Sequence, residues 1–219
     1  MTRDAAHLAR RSRLGAPLPA KFYDRATELV ARELLGAVLE CTSPDGVTRG
    51  RIVETEAYTG PEDPACHAAA GLTRRTRHLF GPPGVAYVYL IYGMYWCFNA
   101  VTREEGHGAA VLVRAVAPLV GIDLMRARRP KVTRDRDLTN GPGKLCLAMG
   151  IDGSMDGTPL RDGPIIIRAG DPVPDDDVVV TPRIGIVKAA EWPLRYFIRD
   201  DPFVSRTPAH FERGRWEGR

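Results

Sequence analysis

The sequence predicts a single α+β domain, built on a curved, mainly antiparallel β-sheet with flanking helices and a protruding β-hairpin. Three observations lead to this. Segments of strand character outnumber those with helical periodicity. The first strands follow one another through tight turns, which antiparallel neighbours permit and parallel ones do not. No repeat or linker divides the 219 residues, a length that one core can serve.

Residues 1–20 are polar, arginine-rich and broken by prolines, and are expected to form a mobile basic arm. A helix is predicted from about Arg25 to Leu35, with Asp24 as N-cap, Gly36 as the stop, and Leu29, Val30, Leu34 and Leu35 on the buried face. A strand from Ala37 to Cys41 turns at Ser43-Pro44-Asp45-Gly46 into a second, from Val47 to about Tyr58. Asp63-Pro64 has the N-cap and N1 chemistry of a short helix that carries Cys66 and His67 and closes at Gly71. Thr73 is placed to cap a turn through Arg74-Arg75-Thr76-Arg77. Val85–Tyr92 and Tyr95–Val101 are strand-like runs separated by Gly93-Met94, the pattern of a hairpin with a type II′ turn. That register pairs Tyr92 with Tyr95, Tyr89 with Phe98 and Val88 with Asn99, so Tyr89 and Asn99 face opposite sides unless a bulge intervenes.

Ala109–Val116 reads as a strand that carries Arg114 among apolar residues. A helix follows Pro118 as far as Arg129, and another runs from about Lys144 to Met149 after Asn140-Gly141-Pro142-Gly143. Ile165–Arg168, Arg183–Val187 and Pro193–Ile198 complete the strands. The domain is expected to span residues 21–205, with a polar tail from 206 to 219.

Composition narrows the function classes without choosing among them. No apolar run approaches the ~20 residues needed to cross a bilayer, and no apolar signal core follows the basic N-terminus. The expectation is a cytoplasmic, nucleoid-associated protein with no membrane contact. The net charge of +4 is dominated by arginines in clusters, which suits a polyanion or simply a solvated basic surface. Cys41, Cys66, Cys97 and Cys146 form no CxxC pair and three of them lie in apolar runs, so buried free thiols are expected rather than a disulfide framework or zinc site. The glycines before Lys144 lack the spacing of a nucleotide-binding loop, and Asp175-Asp176-Asp177 reads as a solvated loop.

Two places carry chemistry. Glu54 and Glu56, with Ile52 and Tyr58, share one face if the strand is regular. Taken alone, that stretch suits the wet face of an edge strand at least as well as a pocket holding a general base. The hairpin shifts the balance, because four of the seven tyrosines lie between positions 87 and 95. Aromatic side chains on a rigid projecting finger suit insertion between bases and the sandwiching of an extruded base.

The run Gly50-Arg51-Ile52-Val53-Glu54-Thr55-Glu56-Ala57-Tyr58, followed by Gly60-Pro61-Glu62-Asp63 and His67, resembles the alkyladenine (3-methyladenine) DNA glycosylase family. The resemblance continues through Tyr87-Val88-Tyr89-Leu90-Ile91-Tyr92-Gly93-Met94-Tyr95 to Asn99, and through Val111-Leu112-Val113-Arg114. It resumes at Gly141–Cys146, Arg183–Ile186 and Glu191–Arg199. It implies that Glu56 is the general base and that Arg114 helps to hold the attacking water. It implies further that Tyr58, His67 and Tyr89 contact the flipped base, Asn99 screens purines, and Tyr92 fills the gap left in the duplex. Met94, Arg74, Arg75, Lys144 and Arg183 are the expected contacts to the DNA backbone. His107 and Cys66 depart from the family pattern, which bears on the choice of lesion more than on the reaction.

The resemblance thus implies a monomeric, monofunctional glycosylase of double-stranded DNA that needs no cofactor or metal. It would excise 3-methyladenine-type lesions and, as further candidates, hypoxanthine and ethenoadenine. No lysine stands near Glu56 in the sequence to act as an amine nucleophile, so no lyase step is expected. Two other classes remain in play. A metal hydrolase would have to draw on Glu54, Glu56, Asp63, Cys66 and His67, whose spacing matches no familiar ligand set. A non-catalytic nucleic-acid-binding module would need only the aromatics and arginines, and Glu56 would then repel phosphate.

Overall fold

The computed structural model describes residues 15–206. Most of the expected N-terminal arm, and the tail beyond Arg206, lie outside the described residues. The strands are β1 (Val38–Ser43), β2 (Gly46–Tyr58), β3 (Ala86–Ile91), β4 (Tyr95–Thr102), β5 (Ala109–Val120), β6 (Ile165–Arg168), β7 (Val178–Thr181) and β8 (Arg195–Ile198). The helices described are α1 (Ala20–Tyr23), α2 (Thr27–Glu33), α3 (Ile122–Arg128) and α4 (Pro142–Met149). The strands form one antiparallel sheet in the order β3-β4-β5-β2-β1-β6, with β8 added beside β2 and β7 beside β8. The expected α+β domain with its curved antiparallel sheet is the fold observed.

Strand β2 organises the sheet. One side pairs with β5; the other pairs with β1 through Arg51 and then with β8 from Glu54 to Glu56. Glu54 and Glu56 therefore lie on a strand flanked on both sides, and the wet-edge account of them is wrong. The β2–β5 register shifts on both sides of Glu54, so that Val53 and Arg114 have no direct cross-strand partner. Such bulges re-aim side chains and sharpen the local twist. Helices α2 and α4 pack on the sheet, burying Leu34, Leu35, Ile52, Phe98, Leu145 and Met149 in the main core. A smaller apolar cluster around Cys66, Leu79, Tyr87 and Ala110 takes in Tyr58 and Tyr89 at its margin.

Several boundaries differ from expectation for identifiable reasons. Asp24 ends α1 instead of capping the next helix, which starts at Thr27 after Ala26, with the Thr27 hydroxyl bonded to that of Thr102 in β4 at 2.9 Å. Leu29 lies off the buried stripe and faces solvent, whereas Val30, Leu34 and Leu35 are buried. Strand β5 continues past Pro118 to Val120, paired with Gly50 and Arg49, which delays α3 until after Gly121. Residues 183–187 form no strand: Val178–Thr181 takes the place beside β8, and Pro182 together with Gly185 at φ 77° turns the chain into an irregular loop. Asp63 starts no helix either, and only a 3-10 turn from His67 to Ala70 forms there. Residues 16–18 of the presumed arm hydrogen-bond along β6 through Leu18 N to Ile167 O and Ala169 N to Ala16 O. The four cysteines are free and buried, as expected.

The hairpin forms with a different register. Its connection is Tyr92-Gly93-Met94, with φ of 51° at Tyr92 and 69° at Gly93, and Met94 N donates to Ile91 O. Two successive left-handed residues match the twist of a tight hairpin turn, and Met94 is the extra residue before β4. Ile91, rather than Tyr92, now faces Tyr95, so Tyr89 pairs with Cys97 and Tyr87 with Asn99. Tyr87, Tyr89, Cys97 and Asn99 thereby share one face, and no bulge in the hairpin is needed.

At Gly50 an added Cβ would lie 2.5 Å from Val116 Cγ2 and 2.8 Å from Val116 Cβ. Gly50→Ala should therefore destabilise the fold by roughly 1–3 kcal/mol through overpacking. In urea denaturation, Gly50→Ala/Val116→Ala should lose less than the sum of the two single variants; simple additivity would mean that this contact does not limit the site.

Candidate active site

The shared face of the hairpin forms one wall of a cleft of about 310 Å³. Tyr87, Tyr89, Cys97 and Asn99 come from β3 and β4, Ala110, Leu112 and Arg114 from β5, and Tyr58 from the end of β2. Cys66 and His67 close it from the 3-10 turn, and Ile184, Gly185 and Ile186 from the irregular loop. The volume is at the small end for ligand sites and the lining is mostly aromatic and apolar, with a few polar groups.

Most of the lining is uncharged. The Tyr58 phenol is held well above its ordinary value by burial and by the Glu56 carboxylate, and burial alone leads the same shift in Tyr89. Burial pushes the Cys66 and Cys97 thiols up to about 11, so neither is a thiolate near neutral pH. Burial, aided by the Arg75 cation, lowers His67, whose imidazole is neutral at pH 7. His67 Nδ1 shares a hydrogen bond with the Tyr87 hydroxyl at 2.9 Å, and its ring meets that of Tyr89 edge-on at 4.5 Å. Asn99 is fixed by donating Nδ2 to Tyr87 O at 3.0 Å.

Behind this lining lies a buried charge network. Glu56 has no exposed side-chain surface. Its Oε1 accepts from Ile184 N at 2.7 Å and lies 3.2 Å from Arg114 Nη1, while Oε2 accepts from the Tyr58 hydroxyl at 3.0 Å. Arg114 in turn donates Nε to Glu54 Oε1 at 3.0 Å, and so bridges the two carboxylates. Glu54 also accepts from Arg195 Nε at 2.7 Å and from both the amide and the hydroxyl of Ser205. Burial opposes the charge on Glu54, but Arg114, Arg195 and the Ser205 amide outweigh it, leaving the carboxyl below its ordinary range. On the other side of Glu56, Arg183 is buried with Asp63, its Nη1 and Nη2 reaching the two carboxylate oxygens at 2.5 and 2.9 Å.

The family model for methylpurine-DNA glycosylase (MPG) matches residues 21–202. A Methanoculleus marisnigri protein provisionally named 3-methyladenine DNA glycosylase is 50% identical over 193 residues, covering 86% of this chain and 98% of its own. One of the same provisional name from Myxococcus xanthus is 50% identical over 194 residues, covering 87% and 94%. Another, from Legionella pneumophila strain Corby, is 46% identical over 195 residues, covering 87% and 98%. The chain belongs to the methylpurine-DNA glycosylase family. It is a DNA glycosylase, a hydrolase of N-glycosyl bonds acting on methylpurines. Among the described residues, no helix is long and apolar enough to cross a membrane.

The glycosylase brings Tyr58, His67, Tyr89, Asn99 and Arg114 to one cleft, with Glu56 directly behind it. Tyr92, on the cleft's rim at the hairpin tip, is 84% exposed, and Met94 beside it is 66% exposed. Arg74 is exposed, and Arg75 lies 5.4 Å over the Tyr89 ring while donating to Leu90 O. Lys144 is exposed at the start of α4, with Nζ bonded to Asn140. Arg183 is a correction. It is fully buried on Asp63, Ala57 O and the Tyr58 ring, and cannot reach a DNA backbone. Its carboxylate partner Asp63 is not available to a metal either, since Asp63 also accepts from Ala65 N.

Sequence reasoning missed Arg195, Ser205 and the Ile184 amide. Backbone donors and pairings across more than a hundred residues leave no local pattern. Arg195 alone gave a usable signal, as a cation within an apolar strand run, the same oddity that singled out Arg114.

Glu54→Gln should remove the Arg195–Glu54 ion pair and one of the two carboxylates on Arg114, and cost about 3–5 kcal/mol at pH 7. The folded-state pKa of Glu54 lies below its unfolded value near 4.5, so its stabilisation is fully present above that pH and lost as pH falls through the folded value. The urea midpoint of the parent should therefore drop as the pH falls below about 4.5, and Glu54→Gln should flatten that part of the profile. Equal slopes for both proteins would remove Glu54 as the source.

Proposed function

We propose that the protein is a monofunctional glycosylase that flips an alkylated or deaminated purine into the aromatic cleft and hydrolyses its glycosidic bond with a water activated by Glu56. The observation that carries this is the Glu56 carboxylate, buried immediately behind the base-sized cleft and gripped by Arg114, Tyr58 and the Ile184 amide. Cleavage builds oxocarbenium character on the sugar, which a nearby carboxylate stabilises while taking a proton from water. Four acceptor positions are available on an ionised carboxylate. Ile184 N takes one on Oε1, which Arg114 Nη1 also approaches at 3.2 Å, and the Tyr58 hydroxyl takes one on Oε2; the position left on Oε2 is where the water would bind. The attack forms the C–O bond as the C–N bond breaks, the water's proton passes to Glu56 and the purine leaves with the bonding pair.

Glu56 has no exposed surface in the free protein, so the Tyr58 ring or the 184–186 loop has to yield as a base enters. A base alkylated at N3 or N7 departs as a neutral molecule. A neutral lesion such as hypoxanthine or ethenoadenine needs a proton or hydrogen bond, which His67 in the cleft lining or a backbone donor would supply. Tyr92 would occupy the gap in the duplex, with Met94, Arg74, Arg75 and Lys144 toward the phosphates. On this reading the enzyme acts as a monomer.

Glu56→Gln should lower single-turnover release of 3-methyladenine, hypoxanthine or ethenoadenine from duplex DNA by about 10²–10⁴-fold while lesion binding is retained. Excision at the parental rate would exclude Glu56 as the base. Tyr92→Ser should weaken stable flipping by losing the wedge, and the loss should appear in affinity for duplex carrying the lesion more than in the rate at saturating enzyme. Unchanged affinity would place the wedge elsewhere on the hairpin.

A further inference from the structure

We infer that the buried Asp63–Arg183 pair is a positioning device for base removal, setting both the ring that faces the base and the loop amide that grips Glu56. The inference rests on the assignment of Glu56 made above. Asp63 lies in the turn that follows Tyr58, and Arg183 immediately precedes Ile184. One ion pair therefore ties together the two segments that flank the carboxylate.

The contacts are specific to a guanidinium. Two nitrogens meet the two Asp63 oxygens, and Nη1 also donates to Ala57 O at 2.9 Å, the carbonyl between Glu56 and Tyr58. The guanidinium carbon lies 4.6 Å over the centre of the Tyr58 ring, backing that face of it. The next residue, Ile184, then delivers its amide to Glu56 Oε1 at 2.7 Å. Tyr58 and Ile184 line the cleft, but Asp63 and Arg183 do not. The pair therefore reaches a base only through neighbours that line the cleft: Tyr58 and Ile184, and Ala65, whose amide donates to Asp63.

Anchoring matters here because the loop lacks any other regular support. Residues 182–193 belong to no strand or helix, Gly185 is left-handed, and Val187 is 93% exposed. A planar fork on a carboxylate fixes orientation as well as distance, which an ammonium does not. A misplacement of about 1 Å in reacting groups can cost on the order of 10²-fold in rate.

The test compares Asp63→Asn, Asp63→Glu and Arg183→Lys with the parent, reading single-turnover excision of hypoxanthine from duplex DNA, affinity for the same duplex, and the urea midpoint. Asp63→Asn and Arg183→Lys should lose about tenfold or more in rate while affinity stays within about threefold. Asp63→Glu, which keeps the ion pair, should recover most of the rate even if its midpoint is lowered. Should Asp63→Asn fail to fold, Arg183→Lys, which keeps the charge but not the fork, decides the matter. Parental rates in folded Arg183→Lys, or a loss confined to affinity, would overturn the inference. Glu56→Gln run alongside separates the two claims. If it excises at the parental rate, the assignment of Glu56 falls and the inference with it; if it is inactive while Arg183→Lys is unimpaired, only the positioning role falls.

Discussion

Two carboxylates on the central strand of the sheet cannot be buried without cations, and that requirement shapes everything around them. Glu54 and Glu56 are fully enclosed on β2. An unpaired carboxylate there would cost several kcal/mol, a large share of a domain's stability, or give up its charge. The solution is geometric. β5 supplies Arg114 at a register shift, β8 supplies Arg195 opposite Glu56, and the chain beyond β8 returns to place Ser205 on Glu54. Sheet order, the β2 bulges and the path of the last described residues all serve to bring donors to two side chains. The same low-dielectric setting that makes the carboxylates expensive makes Glu56 an effective neighbour for developing positive charge.

The arginines divide accordingly. Arg114, Arg183 and Arg195 are buried and committed to carboxylates. Arg74 and Arg75 are exposed near the hairpin, and only such residues can neutralise phosphate. Net charge therefore overstates what the surface offers a polyanion in some places and understates it in others. Arg126, in the last turn of α3, and Arg134, in the basic stretch beyond it, are already paired with Asp123, Asp135 and Asp137. The cationic surface that matters lies where arginines lack such partners.

The fold class, the β1–β2 hairpin, the aromatic hairpin and the helix through Lys144–Met149 were legible because each depends on local chemistry such as alternation and turn residues, although that helix begins two residues earlier than expected, at Pro142. The hairpin register was not, because Tyr92 adopts φ 51°, a conformation its side chain disfavours and the local sequence does not announce. One residue in that turn decided whether Tyr89 and Asn99 face the same cleft. The β7 strand was missed for a different reason. Arg183–Val187 has strand-like composition, but its arginine is used by Asp63 and its amide at Ile184 by Glu56, so a tertiary demand overrode propensity. The resemblance named Glu56 over Glu54. What it could not convey is that Glu54, two residues away, is as deeply buried and holds the larger share of the cations.

The uncharged lining of the cleft bears on which bases the glycosylase can remove. Phenols, thiols and a neutral imidazole surround the space, and the charges of Glu56 and Arg114 are largely spent on each other and on Glu54. Such a cleft offers a cationic methylpurine aromatic faces, worth about 0.5–2 kcal/mol, but no facing carboxylate to select it strongly by charge. On charge alone a neutral purine would be admitted almost as readily. Beyond what Asn99 screens by shape and hydrogen bonding, discrimination on the proposed mechanism then falls to two steps outside the cleft's own affinity. One is extrusion, which costs least for bases that pair and stack poorly. The other is departure, which is easier for a base that already carries positive charge. An undamaged purine is penalised at both steps, so a permissive pocket need not make an indiscriminate enzyme.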